Sequence, residues 1–299
     1  MKAARFHARG DIRIEDIPEP TVAPGTVGID VAWCGICGTD LHEFMEGPIF
    51  IPPCGHPHPI SGESAPVTMG HEFSGVVYAV GEGVTDIQVG QHVVVEPYII
   101  ADDVPTGPGE RYHLSKDMNF IGLGGRGGGL SEKIAVQRRW VHPISNALPL
   151  DQAALIEPLS VGHHAFVRSG AKAGDVALVG GGGPIGLLLA AVLKAKGLKV
   201  IITELSATRK EKARESGVAE LLPSVEVALF DEAHQLAEAG VQFLGTSLGS
   251  AQVLDFARDL LATGLQQARG LAPWQERAAG VELAARRLPL AACASCAAP

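Results

Sequence analysis

The sequence predicts an α/β protein, a compact barrel-like β part followed by the opening of a doubly wound parallel sheet. Three observations carry that prediction. Up to about residue 145 the chain consists of short β-branched segments cut by Gly and Pro. Beyond Asp151 the order becomes helix, strand, glycine-rich turn, helix, strand. With 46% hydrophobic and 19% charged residues in 299, the chain can bury a core and is not disordered. At roughly 150 residues per domain, that length suggests about two domains.

In chain order, residues 13–17, 27–31, 73–80 and 92–95 read as strands. Residues 89–93 return from the Gly81-Glu82-Gly83 turn. Many short strands without a long helical period suggest a barrel. Asp151 is placed to cap a helix over 152–167. A strand over 175–179 runs into the turn 180–186, a helix over 187–196 and a second strand over 199–203. The organisation expected is 1–150, 151–218 and a distinct 219–299. The last 81 residues hold 19 Ala and 14 Leu, and all nine lysines precede them. Segments 251–261 and 274–287 read as helix, 240–249 as a degenerate fourth strand and turn. No fifth or sixth strand is visible, so the parallel sheet is expected to be incomplete at its C-terminal end, with an unpaired edge and apolar surface.

Lys and Arg number 24 against 33 Asp and Glu, a net charge of −9 with no basic block, which excludes nucleic acid and anionic membrane as expected partners. The N-terminus has no apolar signal-like region. The one membrane-like run, 177–193, contains five glycines and a proline and is short for a span. A cytoplasmic location is expected. Cys34, Cys37, Cys54, Cys293 and Cys296 are odd in number and clustered, which in that compartment favours metal or thiol chemistry over disulfides.

Two motifs carry chemistry. Gly181-x-Gly183-Pro184-Ile185-Gly186 lies between a strand and a helix, where glycines permit a tight turn and let free helix N–H groups approach a pyrophosphate. Glu204, 23 residues after Gly181, ends the second strand where a carboxylate binds a ribose 2′-hydroxyl and repels a 2′-phosphate, favouring NAD over NADP. Arg209 nearby could soften that preference. An ordinary glycine-rich βα turn is the competing reading.

The second motif is Cys34-Gly35-Ile36-Cys37-Gly38-Thr39-Asp40-Leu41-His42, with Gly70-His71-Glu72 and Glu157-Pro158 further on. Thiolate, imidazole and carboxylate together can hold Zn²⁺ and leave a coordination position open for catalysis. A CxxC pair can also be a redox dithiol, half a structural zinc site, or two buried cysteines. No thioredoxin-like βαβ pattern surrounds this one.

The GICGTDLH, GHEFSGVV, IEPLSV and GGGGPIG stretches, in this order over about residues 1–217, resemble the zinc-dependent medium-chain alcohol dehydrogenase family. The 50–53 and 56–59 segments, APVTMGHEFSG and 114–120 look most like its 2,3-butanediol dehydrogenases, with sorbitol and threonine dehydrogenases similar. The resemblance implies a GroES-like catalytic barrel and a Rossmann-like NAD domain. It implies one catalytic zinc on Cys37, His71 and Glu157, with Glu72 a carboxylate able to exchange into the shell. Asp40 would orient a ligand, and Thr39 and His42 would relay a proton to solvent. It further implies a small diol or hydroxyketone substrate, such as 2,3-butanediol and acetoin, and a homo-oligomer.

Two departures qualify those implications. The region over 96–119, where many members carry a four-cysteine zinc loop, has no cysteine here, so a structural zinc is expected to be absent. An incomplete sheet would work against cofactor binding and oligomer formation, leaving a truncated zinc-binding relative without turnover as an alternative. Cys54, His56 and His58, spaced by prolines, are expected in an exposed loop at the substrate entrance. Cys293 and Cys296 are expected to be incidental.

Overall fold

The computed structural model describes residues 1–221. Strands β1 (Lys2–Ala8) and β2 (Asp11–Asp16) form a hairpin, and β3 (Thr26–Gly35) leads into helix α1 (Gly38–Glu46). Then follow β4 (Val67–Thr68), β5 (Glu72–Val80), β6 (His92–Val95), β7 (Tyr98–Ile99), β8 (Asn119–Phe120), β9 (Lys133–Gln137) and β10 (Val141–Pro143). A five-stranded antiparallel sheet runs β10-β6-β5-β3-β9, beside a three-stranded sheet β2-β1-β4 and the pair β7-β8.

The alternation expected of half-buried strands sets which face is core. Val27 and Ile29 on β3, Phe73 and Val77 on β5, Val93 and Val95 on β6, and Ile134 and Val136 on β9 recur at every second position and pack with Ile99, Trp140 and Val141. A second cluster, Phe6, Ile51, Val67, Met69 and Leu123, fills the space under the three-stranded sheet.

Beyond the barrel the chain becomes helical. The single helix expected over 152–167 is two helices, α2 (Leu150–Ala153) and α3 (Ile156–Ser169). Pro158 has no N–H to give the Ala154 carbonyl, so an unbroken helix cannot form there, whereas the first turn of α3 tolerates it. Asp151 accordingly lies inside the first turn of α2, and Pro149 occupies the cap.

Strands β11 (Val176–Gly180), β12 (Lys199–Thr203) and β13 (Glu220–Leu221) are parallel and joined by α4 (Pro184–Ala195) and α5 (Ala207–Ser216), in the order β11-β12-β13. Val179, Val200 and Ile202 pack on Ala190, Leu193 and Ala213 of the two crossover helices. The α3–α4 crossing is close because Gly162 leaves its Cβ position 3.0 Å from the Leu189 nitrogen. Among the described residues β11 pairs with β12 alone, and its Val176 and Leu178 are exposed. No described helix is long and apolar enough to cross a membrane. The readings made for 240–249, 251–261 and 274–287, and for Cys293 and Cys296, lie outside the described residues.

Candidate functional site

The register of β3 on β5 builds the first half of the site. Gly35 stands opposite Glu72 at the end of that ladder. Cys37 comes two residues after Gly35 and His71 one before Glu72, so two motifs far apart in sequence meet at one sheet end. Cys37, His71 and Glu72 each present a ligand atom, all within 4.8 Å of one another, with His71 and Glu72 buried and Cys37 half-buried.

Helix α1 holds Cys37 in place. Cys37 is its N-cap, and the Cys37 N–H donates to Asp40 Oδ2 at 2.9 Å in a reciprocal capping box. The second oxygen of this 3%-exposed carboxylate faces His71 Nδ1. Neither of those facing atoms has a hydrogen-bond partner. Thr39 Oγ1 lies 3.7 Å from the Cys37 sulfur, and His42, one helical turn on, is exposed.

Glu157, in the first turn of α3, is not part of the three-residue cluster. Burial, then the neighbouring charge of Glu72, pushes its carboxyl up to about 7. Burial also raises the Cys37 thiol and the Asp40 carboxyl, and takes the Cys34 thiol up to about 12. A thiol and carboxylates whose charged forms are disfavoured by burial and by one another make a site short of positive charge. A divalent cation supplies that charge, and thiolate, imidazole and carboxylate suit Zn²⁺. The donor set therefore fits a catalytic zinc.

Aromatic rings that the sequence reading did not single out wall the site. Phe120 packs against His71 with ring centroids 6.2 Å apart, Phe50 meets Phe120 edge-on at 6.4 Å, and Tyr98 lies 5.4 Å from Phe120. Burial and then the charges of Glu96 and Glu157 raise the Tyr98 phenol. Tyr98 pairs with Phe120 across β7-β8, two strands of only two residues each and far apart in the sequence, so no local signal marked either ring.

The Cys54 loop divides. Cys54 and His56 are exposed as expected, but His58 is buried. Its Nδ1 accepts the Ile60 and Ser61 N–H groups, each at 3.3 Å, so it closes a turn. Over 96–119, Tyr112 donates its hydroxyl hydrogen to Glu96, and the Tyr112 and Trp140 rings pack at a tilt of 48° with centroids 5.9 Å apart.

The glycine turn separates three roles. Gly181 has φ +101°, a conformation L side chains rarely adopt. Gly183 caps α4 ahead of Pro184 and has open space where a side chain would be. A Cβ on Gly186 would collide with the Gly181 carbonyl oxygen. Pro184 begins α4 three residues earlier than expected, because its fixed φ and missing N–H suit a helix start. Glu204 follows β12 and accepts the N–H groups of Gly182 and Ser206 at 2.8 Å and Leu205 at 2.7 Å. These bonds, led by Ser206 and Gly182, hold its carboxyl below the usual range. Ile185 is exposed at the turn, and Arg209, exposed on α5, lies 4.0 Å from Glu204.

Residues 23–146 match the alcohol dehydrogenase GroES-like domain. The chain is 86% identical over 237 residues to (R,R)-butanediol dehydrogenase of Neisseria gonorrhoeae, covering 79% of this chain and 67% of that protein. It is 50% identical over 225 residues to the Bacillus subtilis enzyme of the same name, covering 75% and 64%. The crystal structure of 2R,3R-butanediol dehydrogenase from Bacillus subtilis superposes with a TM-score of 0.70 at 49% identity, over 80% of this chain and 67% of that one. The chain thus spans about two thirds of the length of these relatives. Matching both the barrel and the βαβ region through to the 200s, it belongs to the medium-chain alcohol dehydrogenase family.

Proposed function

We propose that the chain is a zinc-dependent, NAD-linked oxidoreductase interconverting a secondary alcohol and a ketone, with 2,3-butanediol and acetoin as the pair. The observation that carries this is the convergence of Cys37, His71 and Glu72 within 4.8 Å at the end of the β3–β5 ladder, in a chain whose relatives bear the butanediol dehydrogenase name. The working division is a catalytic part over 1–150 and a cofactor part from 151.

In this reading Cys37, His71 and Glu157 hold the ion, and Glu72 can exchange for one of them. When bound, Zn²⁺ supplies Lewis-acid polarisation of the substrate hydroxyl and NAD the hydride acceptor. Thr39 takes up the hydroxyl proton and passes it to His42, which is exposed and one turn away on the same helix face. Phe120, packed on His71, and Tyr98 beside it exclude water from the reacting carbon. The Gly181–Gly186 turn and the α4 N-terminus would hold the pyrophosphate, and Glu204 would accept from the ribose hydroxyls and favour NAD.

The test is oxidation of 2,3-butanediol with NAD and added zinc by the wild-type protein and by Cys37→Ala. The variant is expected to lose both bound zinc and activity. Retention of both would overturn the assignment.

A further inference from the structure

Outside the proposed chemistry, the most deeply buried ionisable group in the described residues is Glu43 on α1, with no exposed surface. It has no basic partner among the described ion pairs. Its carboxylate instead gathers backbone N–H groups from the segment that follows the helix. Ile49 N–H donates to Oε2 at 2.9 Å, and Phe50 N–H and Ile51 N–H both donate to Oε1, the latter at 3.4 Å. Three successive amides turned onto one carboxylate fix the path of residues 49–51 much as a strand partner would.

The same segment is held from its other side. Asn119 Nδ2 donates to the Phe50 carbonyl at 2.9 Å, and Asn119 begins β8, the strand that carries Phe120. Ile51 is buried in the second core, whereas Ile49 and Phe50 are 54% and 48% exposed. The backbone is thus pinned on both sides while two large apolar side chains stand free, and the Phe50 ring lies edge-on to Phe120, itself packed on His71. Helix α1 therefore presents Cys37 and Asp40 at its start and, one to two turns later, the acceptor that shapes the neighbouring wall.

From this geometry we infer that Glu43 is a positioning residue that presents Ile49 and Phe50 as the apolar lip contacting the carbon skeleton of the alcohol. The inference deepens the proposed function and rests on it. Lip contacts are made alike in the bound ground state and the transition state, so their loss raises KM and leaves kcat in place. Glu43→Gln preserves volume but turns an NH₂ group toward one of the backbone donors, releasing part of the lip.

The experiment combines amide hydrogen exchange over residues 47–52, bound-zinc content, and 2,3-butanediol kinetics for the wild type, Glu43→Gln and Phe50→Ala. In Glu43→Gln, exchange at the Ile49–Ile51 amides should quicken about tenfold, the loss of roughly one hydrogen bond. Zinc content should be unchanged, and KM should rise about tenfold with kcat within about twofold. Phe50→Ala should reproduce the KM rise while keeping the amides protected. Unchanged exchange in Glu43→Gln, or quickened exchange without a KM rise in either variant, would overturn the inference. So would a fall in kcat with loss of zinc. If the wild type oxidises no alcohol, the functional reading fails, and the exchange arm alone still decides whether Glu43 holds the segment.

Discussion

Asp40 Oδ1 lies 3.6 Å from His71 Nδ1, and burial leaves both atoms without another partner. The separation exceeds a hydrogen bond but is short enough for charge to act. An imidazole that turns Nδ1 to a carboxylate offers Nε2 to a metal, and the carboxylate fixes ring orientation and tautomer. Because the other oxygen of Asp40 holds the Cys37 N–H, one side chain sets two ligands at once.

Removing Asp40 should therefore damage metal affinity more than fold. Asp40→Ala is expected to weaken zinc binding by about 10–100-fold, and loss of its capping-box bond from the Cys37 N–H to cost about 1 kcal/mol. Competition with a chromophoric chelator measures the first and thermal unfolding of the zinc-free protein the second. Zinc affinity equal to wild type would show that the Asp40–His71 contact has no bearing on the metal.

Glu204 offers a test of cofactor choice. Glu204→Ala is expected to raise NADP use relative to NAD by about tenfold, since it removes both a ribose acceptor and a charge facing a 2′-phosphate. Glu204 also gathers three backbone N–H groups, so Glu204→Gln, which keeps an acceptor for them, separates charge from loop geometry. An unchanged cofactor ratio in both variants removes Glu204 from that role.

Acid sensitivity should arise at Glu96. Burial pushes its carboxyl up, but hydrogen bonds from His142 and Tyr112 outweigh burial and leave it lowered from 4.5. A carboxyl lowered in the folded state stabilises the fold fully above its unfolded value, and that contribution disappears as pH falls through the folded one. The loss window is thus below about pH 4.5. Melting curves between pH 3 and 6 should fall less steeply for Glu96→Gln than for wild type, and parallel curves would refute the assignment.

The strand pattern and the glycine turn were legible because each obeys a local rule, whereas the meeting of Cys37 with His71 and Glu72 depends on the β3–β5 register. Residues 199–203 and 92–95 match β12 and β6 residue for residue, since β-branched runs between turn signals have few alternatives. Glu43 was not legible: an acid on a short amphipathic helix reads as solvated, and only the return of residues 49–51 over it creates the burial. The α2–α3 break was written in Pro158, but the apolar periodicity on either side concealed it. Phe120 and Tyr98 escaped because their role depends on a pairing between residues 98 and 120, which no local pattern encodes.

Gly183 and Gly186 are three residues apart and should respond in opposite ways to alanine. At Gly186 the new Cβ meets the Gly181 carbonyl oxygen, which is backbone and cannot swing aside, so α4 must shift from the turn. That overpacking should cost about 1–3 kcal/mol, visible as a lower Tm. At Gly183 the backbone is extended and nothing lies within 4 Å, so alanine fits and Tm should hold. The methyl group would instead occupy the approach to the N–H groups of α4, weakening NADH binding by about tenfold, the value of one good hydrogen bond. Fluorescence titration of NADH beside thermal unfolding reads both. If Gly183→Ala binds NADH as tightly as wild type, the pyrophosphate does not pass over this turn, even where Gly186→Ala unfolds early.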